Sequence, residues 1–80
     1  MKNIKDNIEI LLNLFNAYNY NLVISKSKRL IREFPDYLIL YNLLGSAYLN
    51  VGSFNLAKEI FDKALKLEPN NISIMNNLGN

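Results

Sequence analysis

Residues 38–71 read LILYNLLGSAYLNVGSFNLAKEIFDKALKLEPNN. Two apolar runs with helical spacing lie in this stretch. Leu40, Leu43, Leu44 and Ala47 recur at steps of three and four, as do Leu56, Ile60, Phe61, Ala64 and Leu65. Between the runs stands NVGS (50–53), where Gly52 suits a left-handed C-terminal position and Ser53 suits the cap of the next helix. The second run closes on EPNN (68–71). Pro69 cannot continue a helix there, and Asn70 or Asn71 can cap the following one. The stretch predicts a pair of helices joined by a tight turn.

Working outward, the stretch proves to be one period of a repeat. Residues 38 onward laid over 72 onward align Leu38 with Ile72, Leu40 with Ile74, Asn42 with Asn76, Leu44 with Leu78 and Gly45 with Gly79. In the other direction Pro69 falls on Pro35, Asn70 on Asp36 and Phe54 on Tyr20. A single offset of 34 residues accounts for every one of these matches. FPDY (34–37) ends the earlier copy as EPNN ends the later, with Pro35 as the breaker and Asp36 as the cap. Helices are expected over 4–17, 20–34, 37–50 and 54–67, with a fifth opening near 71. The connections are short, so neighbouring helices run antiparallel.

Composition narrows the function. Half of the 80 residues are hydrophobic and 20% are charged, which describes a small folded domain. The most apolar stretch, IEILLNLF (8–15), is interrupted by Glu9 and Asn13 and is too short to span a bilayer. It also makes a poor signal-peptide core, so a cytoplasmic location and no membrane partner are expected. There is no cysteine and no histidine, which removes disulfides, thiol chemistry and the commonest general base and metal ligand. A net charge of +2 is too small a field to argue for nucleic acid. Fourteen asparagines are unusual and fit an AT-rich coding sequence, which warns against reading each as functional.

The 34-residue unit resembles the tetratricopeptide repeat (TPR), whose pattern reads Trp/Tyr, Leu-Gly, Tyr, Ala, Phe, Ala, Pro. Those places hold Tyr41, Leu44, Gly45, Tyr48, Ala57, Phe61, Ala64 and Pro69, and all eight match. Residues 72–80 begin another copy, with Met75 in the aromatic place and Leu78-Gly79 intact. Residues 4–37 form a degenerate copy: Leu11 stands where the glycine belongs, Val23 and Leu30 where the alanines belong, and Ser27 replaces the phenylalanine. The implied fold is all-α, a single array of antiparallel helical hairpins over residues 1–80, with two pairs and the start of a third repeat. Gly45 and Ala57 are expected where the two helices approach most closely, with Tyr41, Tyr48 and Phe61 filling the space around them. In the degenerate copy, Leu11 opposite Val23 predicts a wider separation. The closing IMNNLGN (74–80) then reads as the opening of a third repeat, and the 80 residues as the N-terminal part of something longer. Without a polar closing helix, the chain is expected to be marginally stable or to self-associate through its uncapped C-terminal end.

No catalytic constellation emerges. Glu59 precedes Lys63 and Asp62 precedes Lys66 by four residues, which makes them surface helix pairs worth tenths of a kcal/mol. In SKSKRLIR (25–32), Lys28 and Arg32 share a helix face while Lys26 points elsewhere, as a solvated outer face requires. The resemblance directs attention instead to the first helix of each pair, which in similar proteins lines a concave surface holding an extended peptide. Carried over, that lining comprises Ile39, Asn42, Leu43, Ser46, Leu49 and Asn50 in the clear repeat. The degenerate copy would add Lys5, Ile8, Glu9, Leu12 and Asn16, and the partial copy Asn76, Asn77 and Asn80. Asparagine suits the task because its amide both donates to and accepts from a peptide backbone.

One family subtype grips C-terminal carboxylates with Lys, Arg and Asn. The matching places here are Ile8, Leu12, Leu43, Ser73 and Asn77, none of them cationic, so that clamp is absent. Asn77 matches the asparagine that forms a backbone-gripping ladder in some glycosyltransferase-associated arrays, and Leu43 breaks the ladder one repeat earlier. The expected function is a non-catalytic interaction module that binds a protein or peptide segment without a cofactor. The alternative is a substrate-docking or dimerisation array belonging to a larger enzyme, such as a glycosyltransferase or sulfotransferase.

Overall fold

The structure, a computed structural model, describes residues 3–67. Four helices run in order: α1 Ile4–Asn16, α2 Tyr20–Glu33, α3 Leu38–Asn50 and α4 Phe54–Leu67. Their ends fall within one residue of those expected from the spacing. The expected fifth helix and the readings of Pro69, Asn70, Asn71 and residues 72–80 lie outside the described residues.

The 34-residue period extends to individual hydrogen bonds. At the end of α1 the Ala17, Tyr18 and Asn19 N–H groups donate to the carbonyls of Asn13, Phe15 and Leu14 at 3.0, 3.0 and 2.9 Å. At the end of α3 the Val51, Gly52 and Ser53 N–H groups donate to Ala47, Leu49 and Tyr48 at 3.1, 3.1 and 2.9 Å. Both are Schellman turns, in which a left-handed residue lets the chain satisfy the last carbonyls of the helix. Gly52 takes that conformation, as expected, with φ 82°. Its counterpart Tyr18 takes it too, at φ 62°, although a side chain disfavours it.

Caps repeat in the same way. The Asn19 carbonyl accepts from the Val23 N–H at 3.1 Å, and the Ser53 carbonyl accepts from Ala57 at 3.0 Å. Asn3 caps α1 through its side chain, which accepts from the Lys5 N–H at 3.0 Å. The expectation for Asp36 is corrected: Tyr37 occupies the N-cap of α3 and makes no side-chain cap bond. The loop is fastened instead by the Tyr41 hydroxyl, which donates to the Pro35 carbonyl at 2.8 Å.

Helix α3 is the centre of the molecule. It packs on α4 and α2 and also touches α1, so almost every side of it meets another helix. Its composition explains this, because LILYNLLGSAYLN has no charged face and a helix apolar all round must be buried. Helices α2 and α4 carry their charges on an outer side and bury Val23, Ser27 and Leu30, and Ala57, Phe61 and Ala64, respectively.

Two adjoining clusters make the core. One joins Tyr41, Leu44, Tyr48, Ala57, Phe61 and Ala64, all of them signature positions of the clear repeat. The other joins Leu11, Val23, Leu30, Leu40, Leu43 and Ala47, binding the first pair to α3. The α3–α4 pair is in more extensive contact than the α1–α2 pair. The close approach at Gly45 is to a side chain: a Cβ built there would lie 2.6 Å from Cε1 and Cζ of Phe61.

Candidate functional site

The residues expected to line a groove lie on α1 and α3, which are in contact. At about 100° per residue, Lys5, Glu9, Leu12 and Asn16 form one stripe along α1, and Ile39, Asn42, Ser46 and Asn50 form another along α3. Lys5, Glu9, Leu12 and Asn16 are exposed and Ile8 is half-buried. On α3, Ile39 and Asn50 are exposed, while Asn42, Ser46 and Leu49 are half-buried. Leu43 differs from the rest. It is buried in the cluster with Leu11, Val23 and Ala47, so it supports this face from beneath and presents no surface of its own. Its burial depends on how α1 docks, which the spacing within α3 does not reveal. Asn76, Asn77 and Asn80 lie outside the described residues.

The polar groups on the face differ in their commitments. Asn50 Nδ2 donates to the Ser46 carbonyl at 2.8 Å, one turn back on the same helix. Asn42 is the freer amide: its Oδ1 is buried and finds no partner among the described residues. A buried acceptor left unpaired costs about 1–3 kcal/mol, which rewards any donor brought to it. Leu12 on α1 and Ile39 on α3 are exposed apolar side chains.

A concavity lies on the other side of α3, and the spacing did not point to it. It is a cleft of about 210 Å³ lined by Lys28, Ile31 and Arg32 of α2, Tyr41, Leu44 and Tyr48 of α3, and Ile60 and Lys63 of α4. The four-residue step from Lys28 to Arg32 was the one available signal. Nothing in the chain order announces that Lys63 comes to face them. Burial, and secondarily the negative charge of Asp36, raise the Tyr41 phenol above its usual pKa. Among the described residues, no group of three acids could hold a metal ion, and no helix is long and apolar enough to cross a membrane.

The architecture defines a helical-hairpin repeat protein, and comparison with known families agrees. Residues 38–71 match the tetratricopeptide repeat, over the same boundaries as the period, so this 34-residue unit is similar to that repeat. A Pyropia yezoensis protein titled "Uncharacterized protein ycf37" is 41% identical over 39 residues, which is 49% of this chain and 22% of that protein. The chain thus corresponds to about a fifth of that relative's length. No solved structure matches the chain significantly. Repeats of this family generally serve protein–protein interaction and are generally non-catalytic.

Proposed function

We propose that the chain is a non-catalytic docking module that holds an extended peptide segment of a protein partner along the α1–α3 face. The observation that carries this reading is the unpaired Oδ1 of Asn42 on α3, one turn from exposed Ile39, with exposed Leu12 on the α1 helix that touches α3. An extended backbone offers N–H donors at regular intervals, and its alternate side chains offer apolar contacts. Turned outward from its half-buried position, the Asn42 amide takes a backbone N–H, and Leu12 and Ile39 hold neighbouring side chains. Mixed charge from Lys5 and Glu9 at the α1 end tunes which segments fit.

A peptide array probed with the labelled chain tests this. Asn42→Ala and Leu12→Asp, both at positions outside the buried core, should each erase or strongly weaken the brightest spots. An array pattern identical for wild type and both variants would remove the α1–α3 face from consideration.

A further inference from the structure

The cleft between α2, α3 and α4 is built from two kinds of material. Its walls are apolar and aromatic: Ile31, Leu44, Ile60 and the rings of Tyr41 and Tyr48. Its rim carries Lys28, Arg32 and Lys63, and no acid among the described residues lines it. Three of the nine Lys and Arg residues of a chain with net charge +2 therefore converge on one small space.

The ordinary explanation for helix cations covers only part of this. Arg32 lies in the last turn of α2 and Lys66 in the last turn of α4, where the helix dipole favours positive charge. Lys28 and Lys63 lie outside those last turns; Lys63 follows Glu59 by four residues, a spacing worth only tenths of a kcal/mol, and Lys28 has no acid three or four residues away on α2. Lys28 and Arg32 stand four residues apart, a like-charge spacing that weakens a helix by a few tenths of a kcal/mol. Lys63 adds a third charge from the opposite wall. An anion placed between them relieves all three repulsions.

Size decides what kind of anion fits. An apolar cavity of about 150 Å³ holds one benzene ring, whereas small-molecule sites run from about 300 to 1,000 Å³. At about 210 Å³ the cleft accommodates one side chain and no cofactor. The hydroxyl of Tyr41 is already given to the Pro35 carbonyl, so its ring serves as wall. Three cations around one apolar pit are too few to follow a nucleic-acid backbone. At about 100° per residue, Tyr41, Leu44 and Tyr48 face away from Ile39, Asn42 and Ser46, which makes this surface separate from the α1–α3 face.

We propose that this cleft is a second docking surface, one that takes an acidic peptide segment. A single aromatic or branched side chain of the segment enters between Tyr41, Leu44 and Ile60, and flanking carboxylates meet Lys28, Arg32 and Lys63. The module then holds two segments at once, one on either side of α3.

Fluorescence anisotropy at low salt tests this, using the full chain and a labelled Asp-Glu-Phe-Glu-Asp peptide as probe. Saturable binding is expected, weakened by about tenfold or more when Lys28→Glu and Lys63→Glu are combined. Asn42→Ala should leave it unchanged, which keeps this surface distinguishable from the α1–α3 face. Both lysines are exposed, and Lys28→Gln with Lys63→Gln gives a milder pair should charge reversal disturb folding. The proposal is overturned by an absence of saturable binding or by equal affinity for the peptide with Gly in place of Phe. Equal affinity for tripolyphosphate, stronger binding of a short DNA duplex, or loss of binding in Asn42→Ala would overturn it as well.

Discussion

The ring of Phe61 occupies the space that a side chain at position 45 would need, with Cε1 and Cζ 2.6 Å from where the Gly45 Cβ would stand. Phe61 is 1% exposed, so its ring has nowhere to retreat. The residue sizes at the corresponding positions one period earlier are inverted. Position 11 holds a leucine and position 27 a serine, and both are fully buried. In the clear repeat the second helix supplies bulk and the first supplies room; in the degenerate copy the first supplies bulk and the second supplies room. The two departures from the repeat pattern are thus opposite in size, and both fall inside the core.

Gly45→Ala should therefore destabilise the chain although alanine is the better helix former. Overpacking costs about 1–3 kcal/mol and the propensity gain returns about 1, leaving a net loss of up to about 2 kcal/mol. Phe61→Leu removes the clashing ring atoms, so the double variant should lose less than the sum of the singles. Urea unfolding of the four proteins in this cycle reads the coupling directly, and strict additivity would place Gly45 elsewhere.

Ser27 leads to the opposite sign. Its Oγ is buried and finds no partner among the described residues. Ser27→Ala should stabilise the chain by about 1 kcal/mol, since it removes an unpaired hydroxyl and improves helix propensity. Ser27→Phe should be severely destabilising alone and much less so in combination with Leu11→Gly. Thermal melts of the three variants check this.

The two Schellman turns offer a paired test of backbone strain. Tyr18 is 79% exposed at φ 62°, with one edge-on contact to Tyr20 at 6.3 Å. Tyr18→Gly relieves the left-handed penalty of about 1–2 kcal/mol, less the weak aromatic contact, and should raise the melting temperature by several degrees. Gly52 has open space around its Cβ position, so Gly52→Ala loses only through the backbone, by about 1 kcal/mol. Matching signs in differential scanning calorimetry would contradict the equivalence of the turns.

Tyr41 makes stability pH-dependent at the alkaline end. Burial first and Asp36 second raise its phenol above the usual 10.0. Folding thus tightens the hold on the phenolic proton. That contribution is complete below about pH 10 and is lost as the pH climbs through the folded-state value. Tyr41→Phe gives up the hydrogen bond to Pro35, worth about 1 kcal/mol, and should flatten this alkaline decline. Urea titrations of both proteins on either side of pH 10 read the difference in slope.

What was legible in the sequence follows from what repeats. The helix ends, the turn at Gly52 and the buried signature residues are local or periodic features, and a 34-residue offset exposes them. The left-handed Tyr18 was accessible by the same offset from Gly52, although tyrosine itself gives no hint of it. Asp36 misled because a short acid before an apolar run looks like a cap, while Tyr41 fastens that loop from six residues away. Leu43 and the cleft were illegible for a different reason. Each depends on helices meeting across the sequence, α1 on α3 for Leu43, and α4 opposite α2 for the convergence of Lys63 with Lys28.

The α1–α3 face is the proposed seat of a partner segment. Amide chemical-shift mapping of the isotopically labelled chain, titrated with the strongest peptide from the array, tests it most directly. Saturating shifts are expected at Leu12, Ile39, Asn42 and Ser46, with Lys28 and Lys63 unmoved. Shifts that avoid α1 and α3, or none up to the solubility limit of the peptide, would contradict it.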